Sequence, residues 1–260
     1  MDSDNPLANP KCNVHQHGLV AYRRFFPAQP SGKTLDSTTH YFYQRTALEH
    51  FARSGTKACV ILRHPTKRLV SYFEYVCFTR CTAHRPIDFG EFVAALLAED
   101  VNRFREAFVD EREFHSLATS LAQGEYIVYL EKWLDRLGPS NFRVVFFEDM
   151  VADQEYQLRE LAKFFAIDVD DSESIALQRE NETVRLKYPA LNRLARSLSQ
   201  WLAHEKIREP IRSLYLRFQK GKKPDIASAY PGAIQTLDEY YRPFNRQLSN
   251  RLSIAPIRWT

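Results

Sequence analysis

Apolar residues recur along this chain with two different periods, and the places where the period changes mark out its elements. Lys57-Ala58-Cys59-Val60-Ile61-Leu62 is a short, nearly continuous apolar run, the pattern of a strand in a buried parallel sheet. It leads directly into Arg63-His64-Pro65, with Pro65 suited to the first turn of a helix, and Leu69, Tyr72, Phe73 and Val76 then return at helical spacing. The segment predicts a strand, a tight turn and a helix. A second segment follows the same logic. Tyr126, Tyr129, Leu130, Trp133, Leu134 and Leu137 share a helical period that stops at Gly138-Pro139, and Phe142-Arg143-Val144-Val145-Phe146-Phe147 reads as the next strand, closed by Glu148-Asp149. Further helices are predicted over about 154–165, 188–204 and 233–252, the first carrying Leu158, Leu161, Phe164 and Phe165 on one stripe. Residues 1–34 hold Pro6, Pro10, Pro27 and Pro30 among polar positions, show no sustained period and are expected to be largely irregular. Strands alternating with helices predict an α/β fold with a mostly parallel sheet flanked by helices in three layers.

Length and charge narrow the function classes. A chain of 260 residues with 44% apolar side chains can bury one substantial core, so one domain over 1–260 is expected. The formal charge of +4 is far below the basic excess of a general nucleic-acid binder, and no nucleic-acid partner is expected. The basic residues are unevenly placed, however. Lys206, Arg208, Arg212, Arg217, Lys220, Lys222 and Lys223 lie in one stretch that holds a single acid, Glu209; the pattern suits either an anionic ligand or a solvated basic helix face. No apolar run reaches the ~20 residues of a membrane span, the start has no signal-peptide pattern, and a cytoplasmic protein is expected. Cys12, Cys59, Cys77 and Cys81 are too few and too clustered for a disulfide framework and are read as free thiols.

In an open parallel sheet, ligands sit beyond the carboxyl ends of the strands, where helix starts offer N–H groups to anions. Arg63 occupies such a place, and Ser71 follows about two helical turns later. An Arg-x-Pro at a strand end also fits a plain helix start whose arginine pairs with a nearby carboxylate. The histidines His15 and His17 are weak general-base candidates, since imidazole titrates near neutrality, and surface histidines are the plainer reading. With Cys12 they do not complete any four-ligand metal spacing, and neither do Cys77 and Cys81, so no metal is expected. Glu148-Asp149 at a strand end reads best as a tether for a neighbouring loop.

Leu62-Arg63-His64-Pro65-Thr66-Lys67-Arg68-Leu69-Val70-Ser71-Tyr72 resembles the 3′-phosphate-binding segment of the sulfotransferases that use 3′-phosphoadenosine 5′-phosphosulfate (PAPS), with His64 where that family usually carries Asp or Asn. Asp36-Ser37-Thr38-Thr39-His40-Tyr41, Gly124-Glu125-Tyr126, Phe147-Glu148-Asp149-Met150 and Asp238 to Asn245 resemble further family segments in family order. Lys220-Gly221-Lys222-Lys223-Pro224 is similar to the Lys-Gly-Arg loop of the heparan sulfate type, and Gly18-Leu19, Tyr22 to Pro27, Pro256 and Trp259 echo the same subgroup. The resemblance covers almost the whole chain.

It implies a sulfotransferase fold like that of P-loop NTPases, PAPS as donor with no obligatory metal, and a hydroxyl or amine acceptor on a small molecule or glycan. The nucleotide contacts it implies are Arg63, Ser71, Lys220, Gly221 and Lys222. It also begins downstream of the family's 5′-phosphosulfate loop. Pro10-Lys11-Cys12 lacks the glycine and paired hydroxyls of such a loop, so the domain is expected to be N-terminally incomplete. The alternative left open is a non-catalytic or truncated relative that binds adenosine 3′,5′-bisphosphate or sulfated glycans.

Overall fold

The computed structural model describes residues 14–26, 32–80, 83, 85–169, 185–186, 220–221, 225–254 and 259. Helix α1 (Val14–Arg23), a 3-10 turn (Thr39–Tyr43), helix α2 (Arg45–Ser54) and strand β1 (Ala58–Leu62) come first. Helix α3 (Pro65–Glu74) runs on into a π-helical turn (Tyr75–Thr79), followed by α4 (Phe89–Leu97), a 3-10 segment (Val101–Ala107), α5 (Glu111–Ala118) and α6 (Tyr126–Leu137). Strand β2 (Phe142–Phe146), α7 (Phe147–Ala152) and α8 (Gln154–Phe165) come next. The short strands β3 (Arg185–Leu186) and β4 (Lys220–Gly221), then α9 (Ile226–Ala229) and α10 (Pro231–Leu252), complete the order.

The chain divides into two compact units. The first comprises Met1–Pro65, Glu125–Gln178 and Arg242–Thr260; the second comprises Thr66–Gly124 and Arg179–Tyr241. In the first, β1 and β2 pair in parallel, from Ala58 opposite Phe142 to Leu62 opposite Phe146, as the two apolar runs predict. Burial is greatest at Leu62, Phe142 and Val145, while Ile61 remains 50% exposed. Around the strands, Phe42, Leu48, Tyr126, Ile127, Leu130, Trp133 and Leu248 form a core. Trp133 stacks on Phe142 with centroids 5.3 Å apart, and its indole N–H donates to the Phe42 carbonyl at 2.9 Å. Helix α6 ends at Gly138 with φ of 71°, where the Gly-Pro signal predicts the stop.

The second unit is helical around an aromatic core. Leu69, Phe73 and Val76 present one fully buried stripe of α3 and the π turn, and Phe73 meets Phe89 and Phe92 at ring distances of 5.0 and 5.4 Å. The Tyr241 ring lies so close to Gly124 that a Cβ there would come within 2.6 Å of it, so only glycine fits. Strands β3 and β4 pair antiparallel, with Arg185 opposite Gly221 and Leu186 opposite Lys220.

Several local features differ from the sequence expectation, which placed no helix at α2, α4 or α5. Helix α1 forms inside the stretch expected to be irregular, with an internal break at Gly18, whose φ of 66° is outside helical space. Phe147 does not extend β2 but starts α7, and Lys220–Gly221 lies in a strand pair rather than a free loop. The helix predicted over about 188–204 lies outside the described residues.

Candidate functional site

The carboxyl end of β1 is fastened on both sides. After buried Leu62 the chain turns through Arg63 and His64 into Pro65, whose fixed φ favours the start of α3. The Arg63 carbonyl accepts the Tyr126 hydroxyl at 2.8 Å, and Tyr126 is itself buried at the start of α6. The His64 backbone N–H donates to Glu148 Oε1 at 3.2 Å. Glu148 Oε2 accepts the Trp259 indole N–H at 2.9 Å. Parallel register explains the meeting: Leu62 opposite Phe146 places the residues following each strand side by side. The Trp259 ring is buried against Tyr126, Phe146 and His64, with centroids 5.9, 5.3 and 6.2 Å away. The acidic residue expected to tether a loop is therefore Glu148, and the loop is Arg63–His64.

The Arg63 side chain is placed differently from its backbone. Its guanidinium lies 5.1 Å from the centroid of the Phe147 ring, and it has no hydrogen bond or ion pair among the described residues. The neighbouring carboxylate, Glu148, is committed to a backbone N–H and an indole, so the arrangement is not an arginine held by a carboxylate. A guanidinium lying over a ring keeps its in-plane N–H donors directed outward, the fork geometry that takes a phosphate or sulfate in two parallel hydrogen bonds.

The other sequence candidates fall into separate groups. Ser71 is half-buried on α3, and its hydroxyl has no partner among the described residues. Arg68, on the same helix, is a structural group: its guanidinium donates to the Ser120 carbonyl and, at 3.4 Å, to Gln123 Oε1. Thr66 donates to Asp238. Lys220 and Gly221 form β4, and Lys222 lies outside the described residues. His15 and His17 both fall on α1, with His17 exposed. Among the described residues no group of three or more His, Cys, Asp or Glu is placed to hold a metal ion. Cys59 and Cys77 form no disulfide among the described residues, and burial pushes the Cys59 thiol upward against a weaker opposing effect of Arg143.

The Asp36–Tyr41 segment singled out in the sequence is held by its own first residue. Asp36 Oδ1 accepts the Thr38 backbone N–H at 2.9 Å and its hydroxyl at 2.6 Å, and Oδ2 accepts the Tyr22 hydroxyl from α1 at 2.6 Å. Partial burial works to raise the Asp36 carboxyl, but these hydrogen bonds outweigh it and hold the group below its ordinary value. The same bond and burial push the Tyr22 phenol upward, burial being the larger cause.

Two residues near the Arg63 turn were not read as its surroundings from the sequence, Phe147 and Trp259, although both fall in segments that carry the resemblance. The local signal for Phe147 is an aromatic residue immediately before the Glu-Asp pair at a strand end. Its place over Arg63 depends on strand register.

Comparison with known proteins places the chain in a family. The model of the sulfotransferase domain matches residues 18–213. Carbohydrate sulfotransferase 15 of Homo sapiens is 22% identical over 215 residues, covering 81% of this chain and 32% of that protein, so the chain spans about a third of its length. The crystal structure of a sulfotransferase from Alicyclobacillus acidocaldarius matches with a TM-score of 0.55 at 16% identity, over 92% of this chain and 73% of the other, which shows the α/β fold. With the family model spanning well over half of the 260 residues, the chain belongs to the sulfotransferase domain family.

Proposed function

We propose that this protein is a PAPS-dependent sulfotransferase that transfers the sulfuryl group to a hydroxyl or amine of a carbohydrate acceptor. One observation carries the reading: a half-buried arginine at the carboxyl end of a parallel strand, with its backbone fastened on both sides and its guanidinium unpaired among the described residues. When bound, PAPS supplies an activated sulfuryl group and leaves as adenosine 3′,5′-bisphosphate. Arg63 would hold the 3′-phosphate with its in-plane donors. Tyr126, Glu148 and Trp259 keep that arginine's backbone from yielding as the anion is engaged, so little reorganisation is needed on binding. Ser71, Lys220, Gly221 and Lys222 are retained as the further nucleotide contacts that the resemblance assigns. The carbohydrate acceptor is supported by the resemblance to the heparan sulfate type and by the name of the human relative. Among the described residues no helix is long and apolar enough to cross a membrane.

Titration calorimetry tests the donor site. Adenosine 3′,5′-bisphosphate should bind more tightly than adenosine 5′-phosphosulfate, which lacks the 3′-phosphate; equal or reversed affinities would withdraw Arg63 from the site. Transfer of labelled sulfate from PAPS to a panel of glycans tests the acceptor class, and transfer confined to non-carbohydrate acceptors would remove it.

A further inference from the structure

Phe147 is an aromatic residue 39% exposed at the end of β2. It begins α7 directly after β2, and its ring faces the Arg63 guanidinium at 5.1 Å. We infer that Phe147 is a positioning residue, a shelf that fixes the plane of the Arg63 guanidinium and so sets the direction of its phosphate-binding donors.

Three observations lead there. First, the Arg63 backbone is immobilised by Tyr126 and Glu148, but those bonds stop at the main chain and leave the side-chain torsions unrestrained. Second, no carboxylate restrains the guanidinium among the described residues, because Glu148 is engaged by the His64 N–H and Trp259. Third, the group beside the cation is an aromatic ring, with its centroid 5.1 Å from the guanidinium carbon, and a ring offers no acceptor that would take up the N–H donors. A carboxylate in the same place would occupy the donors and lower affinity for an anion. An aromatic ring restrains the group without competing for its hydrogen bonds, and removes rotamer freedom that phosphate binding would otherwise have to overcome. Register places the two residues near each other, since Leu62 opposite Phe146 brings the residues after both strands together.

The inference rests on the reading that Arg63 takes the 3′-phosphate, and the experiment separates the two. Calorimetric affinities for adenosine 3′,5′-bisphosphate and adenosine 5′-monophosphate form a ratio that isolates the 3′-phosphate. It is measured for the 260-residue chain and for Arg63→Ala, Phe147→Leu and Phe147→Tyr. Arg63→Ala should collapse the ratio. Phe147→Leu should lower it about three- to tenfold, through the bisphosphate alone, and Phe147→Tyr should retain it. A ratio unchanged in Arg63→Ala defeats the underlying reading and the shelf with it. A collapsed ratio in Arg63→Ala beside an unchanged one in Phe147→Leu, equal weakening of both nucleotides in Phe147→Leu, or a loss in Phe147→Tyr as large as in Phe147→Leu overturns the shelf and leaves the reading standing. Phe147→Met replaces the leucine variant in the same comparison if that variant does not fold.

Discussion

The two units each carry an arginine near the end of β1, and they treat the two differently. In the second, several polar groups near the aromatic core are paired internally: the Tyr241 hydroxyl donates to the Leu121 carbonyl at 2.9 Å, Arg68 to the Ser120 carbonyl, Thr66 to Asp238, and Tyr72 pairs with Ser116. In the first, two hydrogen bonds hold the peptide that follows Arg63, and the Arg63 side chain is left without a hydrogen-bond partner among the described residues. Two arginines five residues apart therefore have different fates. The Arg68 fork meets the Ser120 carbonyl and Gln123; the Arg63 guanidinium lies against the Phe147 ring, and the proposed function assigns it a phosphate.

The comparison can be broken most severely in the aromatic core. Phe73→Ala empties a fully buried ring position against Phe89 and Phe92 and should cost about 3–5 kcal/mol. Native-state hydrogen exchange over α3 to α5 reads that loss, and unchanged protection would mean the core tolerates the cavity.

Arg63→Ala should do the reverse. It is expected to weaken binding of adenosine 3′,5′-bisphosphate by about 2–4 kcal/mol, the scale of losing a charge-assisted fork on a partly desolvated phosphate, with little change in unfolding. Unaltered calorimetric affinity in a folded variant would make Arg63 as structural as Arg68.

Trp259→Phe keeps a ring in its cluster but deletes the N–H that satisfies Glu148, at a cost of about 1 kcal/mol. The His64 amide should lose exchange protection, because its acceptor is no longer held from the other side. Retained protection at His64 would show that Glu148 needs no help from the C-terminal indole.

The smallest effect concerns Asp36. Its carboxyl is held below the ordinary value in the folded chain, so its contribution is present above the unfolded value of 3.8 and is lost as pH falls from there through the folded value. Acidification through this window should reduce exchange protection in α1, which Tyr22 ties to Asp36, and Asp36→Asn should remove that component. Identical acid profiles in both proteins would detach α1 from Asp36. The group is only partly buried, so solvent keeps the effect modest.

The elements were legible where a local period was long enough to show. The apolar runs at 57–62 and 142–147 are the two strands to within a residue, and Gln154–Phe165 and Pro231–Leu252 follow their helical stripes. Helix α1 was not legible, because Gly18 interrupts a short helix amid prolines and no stripe survives the break. The strand pair at Lys220–Gly221 was not legible either, since a two-residue strand has no period and its partner lies at Arg185–Leu186. Part of the candidate site was visible as chemistry: Arg63 at a strand end, and an acidic pair suited to tethering. What remained hidden was which acid binds what, and through which atoms.

The sequence by itself determined the alternation of strands and helices, the parallel sense of the sheet, and the candidacy of Arg63, because each is read from residue type and spacing along the chain. Tertiary structure alone decided that Glu148 serves the His64 amide rather than the Arg63 side chain, that Trp259 returns across 111 positions to complete that tether, and that Phe147 lies against the guanidinium. The reason is the same in each case. Hydrogen bonds and ring contacts are decided by distances of a few ångströms between residues far apart in the chain, and strand register and burial, not local periodicity, set those distances.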